Sequence, residues 1–261
     1  MKITLKDGSV KEYENSLSVI DIAADISEGL ARNACAGEVD GEVVDLRTVV
    51  DRDCNLSILT VNDPAGLAAY RHTASHILPQ GINANPSFSR EDLDKIEAEM
   101  KKIIKEGHKL ERFTLPKEEA IALMKEKGEP YKVELIEDLP EGEEISFYSQ
   151  GDFTDLCAGP HLMSTKPIKA FKLTSSSGAY WRGSEKNAML SRIYGTAFAK
   201  KDELNEYLEY LANIKNRDHN KLGRELEIFA TVDVIGQGLP LLMPKGLRPK
   251  IPGLSPCLGI T

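Results

Sequence analysis

Apolar and polar positions divide the chain into blocks of different period. Ile3 and Leu5, the turn residues Lys6-Asp7-Gly8-Ser9 and the segment Val10 to Tyr13 predict a hairpin turning at Asp-Gly. Ser18 is placed to cap a short helix through Ile26, with Ile20, Ala23 and Ala24 on one face and Gly29 as its stop. Ala36 to Val39 and Glu42 to Leu46 flank Asp40-Gly41 as a second hairpin, and Leu56 to Thr60 predict a closing strand. Hairpin, helix, hairpin and strand in this order make a β-grasp pattern, a small sheet holding one helix.

At Asn62-Asp63-Pro64 the period changes, and a helix carrying Leu67, Tyr70, His72 and His76 is expected, ended by Pro79 and Gly81. Ser89-Arg90-Glu91-Asp92 reads as a capping box for a long amphipathic helix with Leu93, Ile96, Met100, Ile103 and Ile104 inward. Pro116 opens another helix, stopped by Gly128. Alternation then predicts strands at Tyr131 to Ile136, Ile145 to Ser149, Phe153 to Leu156, Ile168 to Leu173, Ala179 to Trp181 and Ile193 to Phe198. Helices followed by an antiparallel sheet give an α+β domain. Two helices, Lys200 to Leu211 and Lys215 to Ile228, are expected to link it to another domain, and Gly236 to Thr261 is too short and too rich in Pro and Gly for a core.

Composition narrows the class. The chain of 261 residues has room for one to three domains. No apolar run approaches a membrane span, and the N-terminus enters a strand pattern directly, so a cytoplasmic protein with no membrane partner is expected. Cys35, Cys54, Cys157 and Cys257 are scattered, which suits reduced thiols better than a disulfide framework. The net charge of −8 argues against a generally basic nucleic-acid binder, and the first 53 residues hold six bases against twelve acids. A local basic strip of Lys169, Lys172, Arg182 and Lys186 beside Trp181 suits a single-stranded nucleic-acid end, or is an ordinary strand surface.

The chemical signal lies in two pairs spaced by four. His72 and His76 share one helix face, one turn apart, and Cys157 and His161 flank a Gly159-Pro160 turn. Together they could form a tetrahedral Cys/His3 zinc site or a metal-free aqueous catalytic pocket. The bland alternative is a surface His72, a satisfied core His76 and a buried Cys157 acting as a small hydrophobe.

Five segments in order, His72-Thr73-Ala74-Ser75-His76, Asp155 to His161, Gly178-Ala179-Tyr180-Trp181-Arg182-Gly183, Arg192 to Ala197 and Arg217-Asp218-His219, resemble the N-terminal half of threonyl-tRNA synthetases. The resemblance implies a TGS domain over residues 1–61, an editing domain over 62–200, linker helices over 201–230 and the truncated start of a class II aminoacylation core over 231–261. It implies hydrolysis of seryl-tRNA(Thr), with the 3′ end of tRNA(Thr) as partner and an editing pocket at His72, His76, Lys132, Asp155, Cys157 and His161. Editing requires no cofactor by this resemblance. Similar motifs hold zinc in alanyl-tRNA synthetase editing domains, which keeps zinc at His72, His76, Cys157 and His161 as an alternative. ATP and magnesium belong to a class II core that this sequence does not contain, and family members dimerise through that core, which implies a monomer here. A catalytically inactive tRNA-binding or interaction module and a structural zinc domain are the competing readings. Pro79 to Pro86 stands where the family has a longer segment, an internal loss that removes pocket wall.

Overall fold

The computed structural model describes residues 1–78, 88–140, 142–230 and 240–246. The chain is α+β, and it divides into two compact units, residues 1–204 and 205–261.

The first unit opens with β1 (Lys2–Leu5), β2 (Val10–Glu12), the two-residue β3 (Leu17–Ser18), helices α1 (Val19–Ile26) and α2 (Glu28–Asn33), β4 (Ala34–Val39), β5 (Glu42–Val44), the two-residue β6 (Val49–Val50) and β7 (Cys54–Thr60). The sheet order is β2-β1-β7-β4-β5, with β1 and β7 parallel and the other pairs antiparallel. Val19 and Ile22 of α1 pack with Ile3, Leu46 and Leu56, the arrangement expected of a β-grasp. Asp40 and Gly41 take φ of 50° and 89°, the left-handed pair that a two-residue hairpin turn needs. One expectation fails: Gly29 does not stop the first helix. Ser27 ends α1 in extended backbone and its hydroxyl caps α2, which contains Gly29.

Next come α3 (Pro64–His76), α4 (Arg90–Glu106), β8 (Leu110–Leu115), α5 (Lys117–Glu126), α6 (Pro130–Glu137), β9 (Ile145–Gln150), β10 (Phe153–Leu156), β11 (Ala170–Tyr180) and β12 (Met189–Phe198). Pro64 at the first turn of α3 and the reciprocal Ser89/Asp92 box on α4 match the sequence signals. The expected stop at Pro79 and Gly81 lies outside the described residues; α3 ends at His76.

Two differences from the sequence reading have plain causes. Tyr131 to Ile136 is the helix α6, not a strand. Tyr-Lys-Val-Glu-Leu-Ile alternates, but Pro130 presets the first helical φ, and the buried pair is Val133 and Ile136, three apart, while Leu135 is left 43% exposed. The strand β8 has no clear sequence signal because it is an edge strand whose middle residues, Glu111 to Thr114, all face solvent. The antiparallel pairing is split between a three-stranded sheet, β10-β9-β8, and a long two-stranded ribbon, β11-β12.

The α3–α4 layer shares its core with the N-terminal sheet. Cys35, Ala36 and Leu59 cluster with Ala69, Tyr70, Ile77, Ile96, Met100, Leu162 and Phe171. Gly66 permits the close approach, since a Cβ there would stand 2.0 Å from the Thr60 carbonyl oxygen. A smaller cluster of Ala120, Met124, Val133, Ile136, Ile145 and Phe147 lies under α5 and α6.

Helix α7 (Lys201–Asn216) runs five residues past the expected Leu211. In the second unit α8 (His219–Glu225) is followed by the short pair β13 (Phe229–Ala230) and β14 (Leu241–Leu242). Among the described residues no helix is long and apolar enough to cross a membrane.

A candidate site of three histidines and a cysteine

The last turns of α3 carry His72, Thr73 and His76. Strand β10 ends at Leu156, and Cys157 leads into a turn with a cis Gly159–Pro160 bond and then His161. The ligand atoms of His72, His76, Cys157 and His161 all lie within 4.8 Å of one another. Cys157 Sγ stands 3.2 Å from His72 Nε2 and 3.3 Å from His161 Nε2. The imidazole of His161 lies 4.2 Å, centroid to centroid, from both other rings.

The remaining two expected site residues meet beside them. Lys132 reaches from α6 to Asp155 on β10, with Nζ 2.6 Å from Oδ1. Asp155 is buried, and its Oδ1 also accepts from the Leu156 N–H at 2.8 Å. All six sequence-expected side chains therefore lie in one region, although Lys132 arrives on a helix.

Burial sets the protonation of the cluster. It pushes His161 down to about 2, helped by the neighbouring histidines, and His76 down to about 4, partly offset by the Asp155 carboxylate. His72, half-buried, is lowered by the same cause, and burial raises the Cys157 thiol. At neutral pH the pocket holds neutral imidazoles that can accept protons and a thiol in its protonated form.

Hydrogen bonding ties the His161 ring to α3. The Thr73 hydroxyl has one proton, which goes to the Ala69 carbonyl at 2.9 Å, while its oxygen accepts from the Leu162 N–H at 2.9 Å. His161 Nδ1 lies 3.2 Å from the same hydroxyl, and with the Thr73 proton on Ala69 the matching tautomer has Nδ1–H donating and the Nε2 lone pair facing Cys157. Gln150 Nε2 donates to the His76 carbonyl at 2.8 Å and holds the end of α3.

Thr73, Gln150, Tyr148, Asp45 and Arg47 all support this pocket, and sequence reading passed over each of them. Thr73 could have been suspected, since it sits between the two histidines; Tyr148 and Gln150 come from β9 and Asp45 and Arg47 from the turn after β5, and none of these carries a spacing signal. In the expected basic strip, two members are engaged by acids. Lys172 is paired with Glu97 at 2.9 Å, and Arg182 with Glu134 and Asp138 at 2.9 and 2.5 Å. The Trp181 indole N–H also donates to Glu134. Lys169 faces elsewhere, lining with Arg32 and Lys166 a cavity of about 600 Å³.

Comparison with known proteins places these residues in familiar company. Residues 1–60 match the TGS domain, and residues 145–194, which include Asp155, Cys157 and His161, match the second additional domain of threonyl and alanyl tRNA synthetases. A threonine–tRNA ligase of Clostridium botulinum (strain Alaska E43 / Type E3) is 57% identical over 271 residues, covering 95% of this chain and 42% of that protein. That of Clostridium perfringens (strain ATCC 13124) is 58% identical and that of Acetivibrio thermocellus 56%, each with the same shares. The chain spans about 42% of the length of these relatives. The match of 271 positions exceeds the 261 residues present here, so the relative has residues with no counterpart in this chain.

Proposed function

We propose, for a chain whose domains and identity fit the N-terminal part of a threonyl-tRNA synthetase, that it hydrolyses the ester joining serine to the 3′ end of tRNA(Thr). The observation that carries this reading is the convergence of three neutral imidazoles and the Lys132–Asp155 pair in one region. Serine lacks one methyl of threonine, and a methylene-sized difference yields only about 1–3 kcal/mol of discrimination, so an aminoacylating enzyme for threonine needs a second, hydrolytic sieve.

In the proposed step a water attacks the ester carbonyl carbon while a histidine takes its proton. His72 is the candidate base, because it is the least buried of the three and neutral at pH 7. Charge developing on the carbonyl oxygen is stabilised by the nearby Lys132 ammonium. The bond to the ribose oxygen then breaks, the proton passes to that oxygen, and serine and uncharged tRNA leave. Cys157, a protonated thiol between two imidazoles, serves as pocket wall and water holder. The domain boundaries belong to the same proposal: 1–61 TGS, 62–200 editing, 201–230 linker, 231–261 the start of an aminoacylation core, with the isolated chain monomeric.

A second reading rests on distances. In a tetrahedral zinc site with ordinary bond lengths a sulfur and a nitrogen ligand stand roughly 3.5 Å apart; the two Cys157–histidine separations are 3.2 and 3.3 Å, and the four ligand atoms, within 4.8 Å of one another, would draw together around the ion. His72, His76, Cys157 and His161 would hold the ion, which would supply a fixed charge and tie α3 to the Cys157–His161 turn.

The test is deacylation of seryl- and threonyl-tRNA(Thr) by the purified chain. Slow, weakly selective hydrolysis above the buffer rate is expected, lost in His76→Ala and in Cys157→Ala. Binding of the tRNA with no hydrolysis would instead identify an inactive binding module.

A further inference from the structure

His161 is held from a part of the chain with no chemistry of its own. Asp45 and Arg47 lie on the turn after β5, within the N-terminal β-grasp. Asp45 Oδ2 accepts from the His161 backbone N–H at 3.0 Å and from the Tyr148 hydroxyl at 2.9 Å. Its Oδ1 accepts from the Arg47 N–H at 2.8 Å and from Arg47 Nη1 at 2.9 Å, which fixes the guanidinium. Arg47 in turn donates to the carbonyls of Leu110, His161 and Leu162, the last two at 3.3 and 3.0 Å.

Both backbone groups of His161 are therefore bonded to the β-grasp, and its ring is bonded to Thr73. Tyr148 closes the loop: its ring lies 4.5 Å from that of His161, and its hydroxyl stands where a Cβ on Gly159 would fall. Asp45 is 8% exposed, so its carboxylate keeps these bonds away from competing water. A turn whose only role was to join β5 to β6 would have no need of a buried carboxylate and a guanidinium aimed at another sheet.

We propose that Asp45, with Arg47 beside it, is a positioning residue for the His/Cys pocket, so that docking of the N-terminal β-grasp sets the placement of His161. The proposal concerns placement, and only its kinetic readout rests on the hydrolase reading. The His161 ring stacks on that of His72, the candidate base, at 4.2 Å, and misplacement of a reacting group by about 1 Å costs on the order of a hundredfold in rate.

The experiment uses the full chain and the variants Asp45→Ala, Asp45→Asn, Tyr148→Phe and, as a control in the same β-grasp, Arg52→Ala, whose exposed pair with Asp40 lies outside this network. Hydrogen exchange of the His161 amide, the imidazole nitrogen resonances of His161 and the kcat and KM of seryl-tRNA deacylation are measured. Asp45→Ala is expected to speed exchange at His161 about tenfold, to shift its imidazole signals and to lower kcat by about ten- to a hundredfold with KM nearly unchanged. Asp45→Asn, which keeps one oxygen for the His161 and Tyr148 donors but turns an amide NH2 group toward Arg47, should recover part of each effect, and Arg52→Ala should change none. Should Asp45→Ala fail to fold, Asp45→Asn and Tyr148→Phe are each expected to shift the same His161 signals by a smaller amount. Unchanged His161 signals in the folded variants, or an equal loss of protection along the whole chain, would overturn the proposal. A wild-type chain without deacylation would defeat the hydrolase reading alone, and exchange and imidazole signals would still decide this one.

Discussion

Lys132 on α6 and Asp155 on β10 form an ion pair of 2.6 Å whose side chains are only 17% and 5% exposed. Removing one partner from such a pair leaves a buried charge uncompensated, which costs about 3–5 kcal/mol. Lys132→Met should therefore lower the urea midpoint markedly, while Lys132→Met combined with Asp155→Asn should recover more than half of the loss. Equal destabilisation by the single and double variants would show that the pair is not coupled.

The Cys157–His161 turn should not accept a side chain at Gly159. Its φ is +78°, and an added Cβ would meet the Tyr148 hydroxyl at 2.2 Å, a group that Asp45 holds in place. Gly159→Ala is expected to cost about 3 kcal/mol or more. Gly41→Ala is the comparison, because its φ is +89° but nothing lies within 4 Å, so only the backbone penalty of about 1–2 kcal/mol applies. Chemical denaturation of both variants measures the difference.

Acid should loosen the metal-free pocket. His76 and His161 have folded values of about 4 and about 2, below the ordinary 6.5, so the unfolded chain binds more protons over that range. A depressed folded value means that the contribution is fully present above pH 6.5 and is lost as pH falls toward 4 for His76, and on toward 2 for His161. The melting temperature should decline between pH 7 and pH 4.5, and His76→Gln should flatten that decline. A wild-type melting temperature constant over this interval would contradict the burial argument.

Chelation separates the two readings of the pocket. On the hydrolase reading, dialysis against a chelator leaves seryl-tRNA deacylation within about twofold of its starting rate, because the proton acceptor and the oxyanion donor are side chains. On the zinc reading, cobalt(II) added to the dialysed chain produces a thiolate-to-metal absorption band that Cys157→Ala removes, and the melting temperature rises with metal. Absorption and activity recorded on one sample decide between them.

Local chemistry was legible in the residues themselves. The hairpin at Asp40-Gly41, the Ser89/Asp92 box and Pro64 at the head of α3 depend on a few adjacent residues, and each was read correctly because backbone geometry at turns and caps is a short-range property. The spacing of His72 to His76 and of Cys157 to His161 likewise pointed to side chains that the fold brings within 4.8 Å of one another, since four residues on a helix or around a tight turn bring a pair together. Tertiary contacts decided the rest. Val133 and Ile136 face a core supplied by Met124 and Phe147, and that packing overrode the strand-like alternation of Tyr131 to Ile136. Glu111 to Thr114 became a strand because β9 offered it an edge, a demand that no pattern in those exposed residues announces. The support of His161 by Asp45, Arg47, Thr73 and Tyr148 joins residues up to 116 positions apart. Only the packed chain could reveal it, because a hydrogen bond is set by where two groups meet in space, and spacing along the sequence carries no record of that.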